Sequence, residues 1–176
     1  MTPIRVPVRL VGMKRIHILG RKNHGKTTLL VELVEHLSAQ GLRVGTIKHT
    51  HHAHELDTPG KDSHLHRQAG ASVSGILSRG MNAVFWSPDS DAGDRYDEFA
   101  PHFASCDVVL IEGDVQATAP KVEVWRAAVA EGLPMAVEDA GILAVITDDP
   151  VNVSAPVWPR SDVPTIARGI LELLDG

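Results

Sequence analysis

The sequence predicts a doubly wound α/β domain, a mostly parallel sheet with crossover helices on its two faces in a three-layer α/β/α arrangement. Three observations predict it. Strand-like and helix-like stretches alternate almost from end to end of the 176 residues, which is enough chain for a substantial core. Val108-Val109-Leu110-Ile111 is an uninterrupted apolar run, the pattern of a parallel strand covered on both faces. A glycine-rich segment, residues 20–27, lies between an apolar strand and a helical pattern.

Taken in order, residues 15–19 read as the first strand. Residues 26–40 read as a helix, because Leu29, Leu30, Leu33, Val34 and Leu37 share one stripe and Gly41 stops it. A second strand, 43–48, leads into a polar loop rich in histidine, with Thr58-Pro59-Gly60 as a turn. Asp62 is expected to cap a short helix over 63–69, closed by Gly70. Residues 71–78 and 81–87 read as two strands joined through Arg79-Gly80, a hairpin expected at a sheet edge. Residues 88–93 read as loop, 96–103 as a short helix, and 121–125 and 142–146 as further strands. Residues 148–160, stiffened by Pro150, Pro156 and Pro159, read as a surface connection. Ser161 or Asp162 is expected to cap a last helix with Val163, Ile166, Ala167, Ile170, Leu171 and Leu174 on one face. The domain expected is a single one, residues 13–176, behind an N-terminal extension, residues 1–12.

Composition narrows the class. No apolar run is long enough to span a bilayer, no secretory signal is legible, and the lone Cys106 excludes an internal disulfide framework. A cytoplasmic protein is expected. The formal net charge of −5 argues against general nucleic-acid binding. Yet Arg5, Arg9, Lys14, Arg15, Arg21, Lys22 and Lys26 crowd the start, which suits an anionic ligand such as a polyphosphate. Asp89, Asp91, Asp94, Asp97 and Glu98 form an acidic stretch that reads as a solvated loop.

Gly20-Arg21-Lys22-Asn23-His24-Gly25-Lys26-Thr27 is a complete G-x-x-x-x-G-K-[ST] loop in strand–loop–helix context. Its glycines let backbone N–H groups turn inward around phosphate oxygens, and the helix that follows adds its positive dipole end. Lys26 can reach the β- and γ-phosphates, and the Thr27 hydroxyl can hold Mg2+. The fold is therefore expected to be of the P-loop NTPase type. Ligands of open α/β sheets gather at the carboxyl ends of the strands, so Glu112, ending the 108–111 run, is the expected second holder of Mg2+. Lys48 and His49, ending the second strand, are expected in the same crevice. Asp57 and His49 are the candidates for orienting a water. The histidines of residues 49–66 also invite a transition-metal reading, although their spacing matches no standard ligand set.

Lys48-His49-Thr50-His51-His52, then Asp57-x-Pro59-Gly60-Lys61-Asp62-Ser63, then Arg67-x-Ala69-Gly70-Ala71, resembles the adaptor protein of molybdopterin-guanine dinucleotide biosynthesis, the MobB type. The order of the phosphate loop, this block, Glu112-Gly113 and Pro120-Lys121-Val122-Glu123 matches as well, over about residues 14–147. The resemblance implies a dimeric GTP-binding protein that assists the guanylyltransferase attaching GMP to molybdopterin and turns GTP over slowly at best. It implies that residues 20–28, up to Thr28, carry the phosphates and that Thr27 and Glu112 hold Mg2+. It also implies that Lys48, His49, Asp57, Gly60, Lys61 and Asp62 line the site. The family commonly continues Glu-Gly with an aromatic residue and a lysine, where this chain has Asp114-Val115. No Asn-Lys-x-Asp guanine-reading motif is present; Asp148 or Asp149 is the alternative acceptor. The competing readings are a small-molecule phosphoryl-transfer enzyme or ligase resembling dethiobiotin synthetase, and a metal-delivery GTPase.

Overall fold

The computed structural model describes residues 13–88 and 94–176. The expected N-terminal extension, residues 1–12, most of the expected loop at 88–93, and Asp89 and Asp91 of the acidic stretch lie outside the described residues. The chain packs into two compact units, one running to Thr50 and resuming at Phe99, the other spanning His51–Glu98.

The first unit is built on six parallel strands. They are β1 (Arg15–Leu19), β2 (Val44–Lys48), β5 (Val108–Glu112), β6 (Lys121–Val124), β7 (Ile142–Ile146) and β8 (Val157–Trp158). Their order across the sheet is β2-β5-β1-β6-β7-β8. On one face Ile16, Ile18, Val108, Leu110, Val122, Val124, Ala144 and Ile146 form one core with two helices, α1 (Lys26–Ala39) and α4 (Val163–Asp175). Leu29, Leu33 and Leu37 of α1 are fully buried there, each worth about 1.5–3 kcal/mol. That apolar anchor holds in place the helix whose first turn carries Lys26 and Thr27.

The opposite face is more polar than the strand pattern suggests, with His17, Lys121 and Glu123 all buried. Glu123 is satisfied there by the N–H groups of Met135 and Ala136, both at 3.0 Å. These N–H groups open a short 3-10 turn, Met135–Val137, so part of this layer is turn. Lys121 Nζ donates to Val115 O at 3.1 Å and to Asp139 at 2.9 Å. Loops are thereby tied to the sheet by charge-assisted bonds.

Two local differences, and the choice between two expected caps, have plain causes. Residues 148–160 are not all connection, because β8 adds to the sheet edge through Val145 N–H to Pro156 O at 2.9 Å and Thr147 N–H to Trp158 O at 3.0 Å. Two residues between prolines are too few to show periodicity. Trp158 then lies against Gly169 of α4, where an added Cβ would stand 2.5 Å from the indole. The helix expected over 96–103 is broken into a 3-10 turn, Arg95–Glu98, and α3 (Ala100–Phe103), since Pro101 is tolerated only in a first turn. At the last helix, Asp162 rather than Ser161 is the cap, accepting from Thr165 N at 3.0 Å and Thr165 Oγ1 at 2.7 Å. Those bonds hold its carboxyl below the usual range.

The second unit holds α2 (Asp62–Gln68) and an antiparallel hairpin, β3 (Val73–Ile76) with β4 (Ala83–Trp86). The hairpin expected at a sheet edge forms a two-stranded sheet of its own. Lys61 is the N-cap of α2 and Asp62 its first residue, so Asp62 supports the helix through the dipole, not as the expected side-chain cap.

Candidate nucleotide-binding site

The loop between β1 and α1 owes its shape to three left-handed residues: Gly20 (φ 145), Asn23 (φ 66) and Gly25 (φ 91). At Gly20 an added Cβ would stand 2.6 Å from the carbonyl oxygen of Val124, so neighbouring β6 as well as the turn demands glycine. Asn is among the few other residues that tolerate this backbone. Lys26 folds back over the loop, its Nζ donating to Gly20 O at 2.7 Å and to Arg21 O at 2.9 Å. Burial lowers the Lys26 pKa, the Glu112 carboxylate opposes that shift, and nearby Lys48 adds to it. A partly dehydrated ammonium beside a second cation is well disposed toward an anion.

The strand register brings the rest together. Glu112 ends β5 opposite Ile18 of β1 and opposite Lys48 of β2. Thr27 Oγ1 donates to the Glu112 carboxylate, with its oxygens 3.1 and 3.2 Å away. A hydroxyl and a carboxylate converging beside a phosphate loop are the hard oxygen donors that Mg2+ takes. His49 N–H donates to Glu112 O at 3.0 Å, and His49 Nδ1 stands 3.4 Å from Asp114 Oδ2.

Other loop residues have structural partners. The Arg21 guanidinium donates to Glu131 O. His24 is buried, accepting from Arg126 N–H at 3.4 Å through Nδ1. Lys22 and Thr28 are exposed. Asp148 accepts from Ser161 N and Oγ, both at 3.0 Å, and Asp149 from Ala127 N–H at 2.7 Å.

Asp57, Gly60, Lys61 and Asp62 belong to the second unit. Asp57 is only 5% exposed, and its Oδ1 accepts from Thr58 N–H at 2.8 Å and Ser63 Oγ at 2.9 Å. Arg67 stands 3.6 Å from Asp57 and donates to Glu55 at 2.7 Å. Gly60, at φ 78, donates its N–H to His64 Nδ1, while Lys61 and Asp62 are exposed at the start of α2. Among the described residues no group of three or more His, Cys, Asp or Glu side chains is arranged to hold a metal ion. Sequence reasoning passed over Asp114; its only signal was the departure from the aromatic–lysine pattern.

This sheet order, with a glycine loop leaving the central strand and an acid ending the strand beside it, defines a P-loop protein with a nucleotide-binding α/β fold. The chain belongs to the MobB family, whose model, described as molybdopterin guanine dinucleotide synthesis protein B, matches residues 15–148. It is 33% identical over 150 residues to the molybdopterin-guanine dinucleotide biosynthesis adapter protein of Escherichia coli (strain K12), covering 84% of this chain and 86% of that one. It is 33% identical over 152 residues to the adapter protein of the same name from Haemophilus influenzae, covering 85% and 83%. The crystal structure of Bacillus subtilis MobB superposes with a TM-score of 0.65 at 27% identity, over 92% of this chain and 98% of that one. A crystal structure of molybdopterin-guanine biosynthesis protein B gives 0.68 at 26% identity, over 92% and 99%.

Proposed function

We propose that the protein is the adapter of molybdopterin-guanine dinucleotide synthesis, binding GTP with Mg2+ at residues 20–28 and assisting the guanylyltransferase that joins GMP to molybdopterin. The observation that carries this reading is the convergence of Lys26, Thr27, Glu112 and Lys48 on the glycine loop. Thr27 and Glu112 would hold the Mg2+, whose charge offsets that of the phosphates. Lys26 and the loop amides bind the phosphates themselves, and Lys48 adds positive charge at the crevice. Turnover is slow: the guanidinium of Arg21, the loop's one arginine, is engaged with Glu131 O and gives no arginine finger in cis.

Replacing Glu112 with Gln is expected to weaken GTP binding roughly tenfold when Mg2+ is present and little in its absence, because one hard charged donor is lost. Isothermal titration with and without the metal reads this, with ATP as competitor for base preference. Equal affinity for ATP would remove guanine from the reading; no metal dependence would remove Glu112.

The working form is a homodimer in the cytoplasm. The hairpin β3–β4 supports the dimer, since two strands alone are marginal and the hairpin leaves Val73 of β3 60% exposed and, in its connection, Leu77 90% and Met81 78% exposed. A monomeric mass by light scattering at micromolar concentration would count against it. Reconstitution of guanine dinucleotide cofactor with purified guanylyltransferase is expected to run faster with this protein than without. Neither stimulation nor association would reduce it to a nucleotide binder.

A further inference from the structure

We propose that Asp114 orients the His49 ring so that His49 positions the water that attacks the terminal phosphate of the bound nucleotide. His49 is then the residue that touches the water, and Asp114 is a positioning residue acting through it. The inference rests on the nucleotide-binding reading above.

Both residues stand where the phosphate loop's partners end. Lys48, the last residue of β2, and Glu112, the last of β5, are register partners, and the His49 N–H donates to Glu112 O. His49 is thus fastened by its backbone to the carboxylate residue that bonds Thr27. Beyond Glu112 the chain turns sharply through two consecutive left-handed residues, Gly113 (φ 96) and Asp114 (φ 69). Gly113 lies against His49, since an added Cβ would be 3.5 Å from His49 O and 3.8 Å from His49 Cβ. From the other side, His17 Nδ1 donates to Gly113 O at 3.1 Å and anchors the turn to β1.

A non-glycine residue held left-handed costs on the order of 1–2 kcal/mol, and such strain gathers at ligand sites. Here the turn brings Asp114 Oδ2 to 3.4 Å from His49 Nδ1, with the two side chains only 14% and 20% exposed. A carboxylate facing Nδ1 favours the tautomer with the proton on that nitrogen and leaves Nε2 as the acceptor. A water donating to Nε2 turns a lone pair outward to the phosphate. In the step that follows, the water oxygen bonds to the γ-phosphorus and the bond from phosphorus to the β–γ bridging oxygen breaks. Its electron pair leaves on the diphosphate, and the water's proton passes to a phosphate oxygen. Asp57, the other candidate for this task, lies in the second unit. Its Oδ1 accepts from Thr58 N–H and Ser63 Oγ, while its buried Oδ2 stands 3.6 Å from Arg67 Nε with no hydrogen-bond partner among the described residues.

Two variants separate the charge from the backbone. Asp114→Asn tolerates the left-handed conformation but offers Nδ1 an amide in place of the carboxylate. Asp114→Gly suits the conformation and removes the side chain. The measurements are GTP affinity, single-turnover hydrolysis with Mg2+, and the ring-nitrogen NMR signals of His49. Both variants are expected to keep GTP affinity within about twofold and to slow hydrolysis roughly 100-fold. The His49 ring should leave the single Nδ1–H form. Because the residues act as one unit, combining Asp114→Gly with His49→Gln should slow hydrolysis no further than His49→Gln alone. An unchanged rate or tautomer in both variants, or additive losses in the double variant, overturns the proposal. So does a wild-type protein that binds GTP and Mg2+ yet never hydrolyses it, an outcome that leaves the nucleotide reading standing. Failure of the wild-type protein to bind GTP at all sinks both.

Discussion

Replacing Lys26 with alanine is expected to weaken GTP binding roughly 100-fold while leaving the fold intact. Charge-assisted hydrogen bonds contribute about 1.5–3 kcal/mol each, and about 2.7 kcal/mol is a hundredfold in affinity. The ammonium is already partly dehydrated, held by two loop carbonyls and lowered in pKa by burial, so it meets a phosphate with part of its desolvation complete. Those two carbonyls are its only hydrogen-bond acceptors among the described residues, and water can replace it there. The melting temperature should therefore stay within about 3 °C of wild type, the shift of about 1 kcal/mol in a chain of this size. Titration of a fluorescent GTP analogue beside a thermal melt reads both quantities. An affinity within about threefold of wild type would mean that the loop does not hold the phosphates.

The second large effect is expected at Gly20. Alanine there places its Cβ 2.6 Å from the Val124 carbonyl and demands φ 145 of an L-residue. Backbone cannot step aside as a flexible side chain can, so the loop or β6 must move. A loss of about 3 kcal/mol follows from overpacking and strain together, lowering the melting temperature by about 6–12 °C. Gly25→Ala is the control, because its Cβ would meet only Arg126 Cδ at 4.0 Å and its φ of 91 is the sole penalty. If the two variants melt alike, close approach to β6 is not what Gly20 serves.

Much of the frame is legible in the sequence. Helix α1 follows its leucine stripe and ends one residue from the expected stop, and β7 was expected at the residues it occupies. Amphipathic spacing and apolar runs are local signals, and here tertiary packing agreed with them. β8 left no such trace, since it is a strand only because Val145 and Thr147 offer it backbone partners. The hairpin was readable as a pair, but its separation from the main sheet was not, because edge pairing depends on where distant strands lie.

The candidate site divides in the same way. Gly20, Gly25, Lys26 and Thr27 are one contiguous motif, and the requirement for amide donors, a cation and a hydroxyl within a single turn is written in their order. Glu112 needed only the rule that ligands gather at strand ends, and the fold brings its carboxylate against the Thr27 hydroxyl. The meeting of His49 with Asp114, 65 positions apart in the numbering, has no local signature; it depends on β2 and β5 being neighbours and on two left-handed residues turning the chain back. Residue chemistry thus marked out the phosphate loop, the family and the alternating frame unaided, since each is carried by neighbours along the chain. Which strands adjoin, where His49 and Asp114 meet, and why Gly20 admits no side chain came from folding alone, because those contacts join segments that share no sequence pattern.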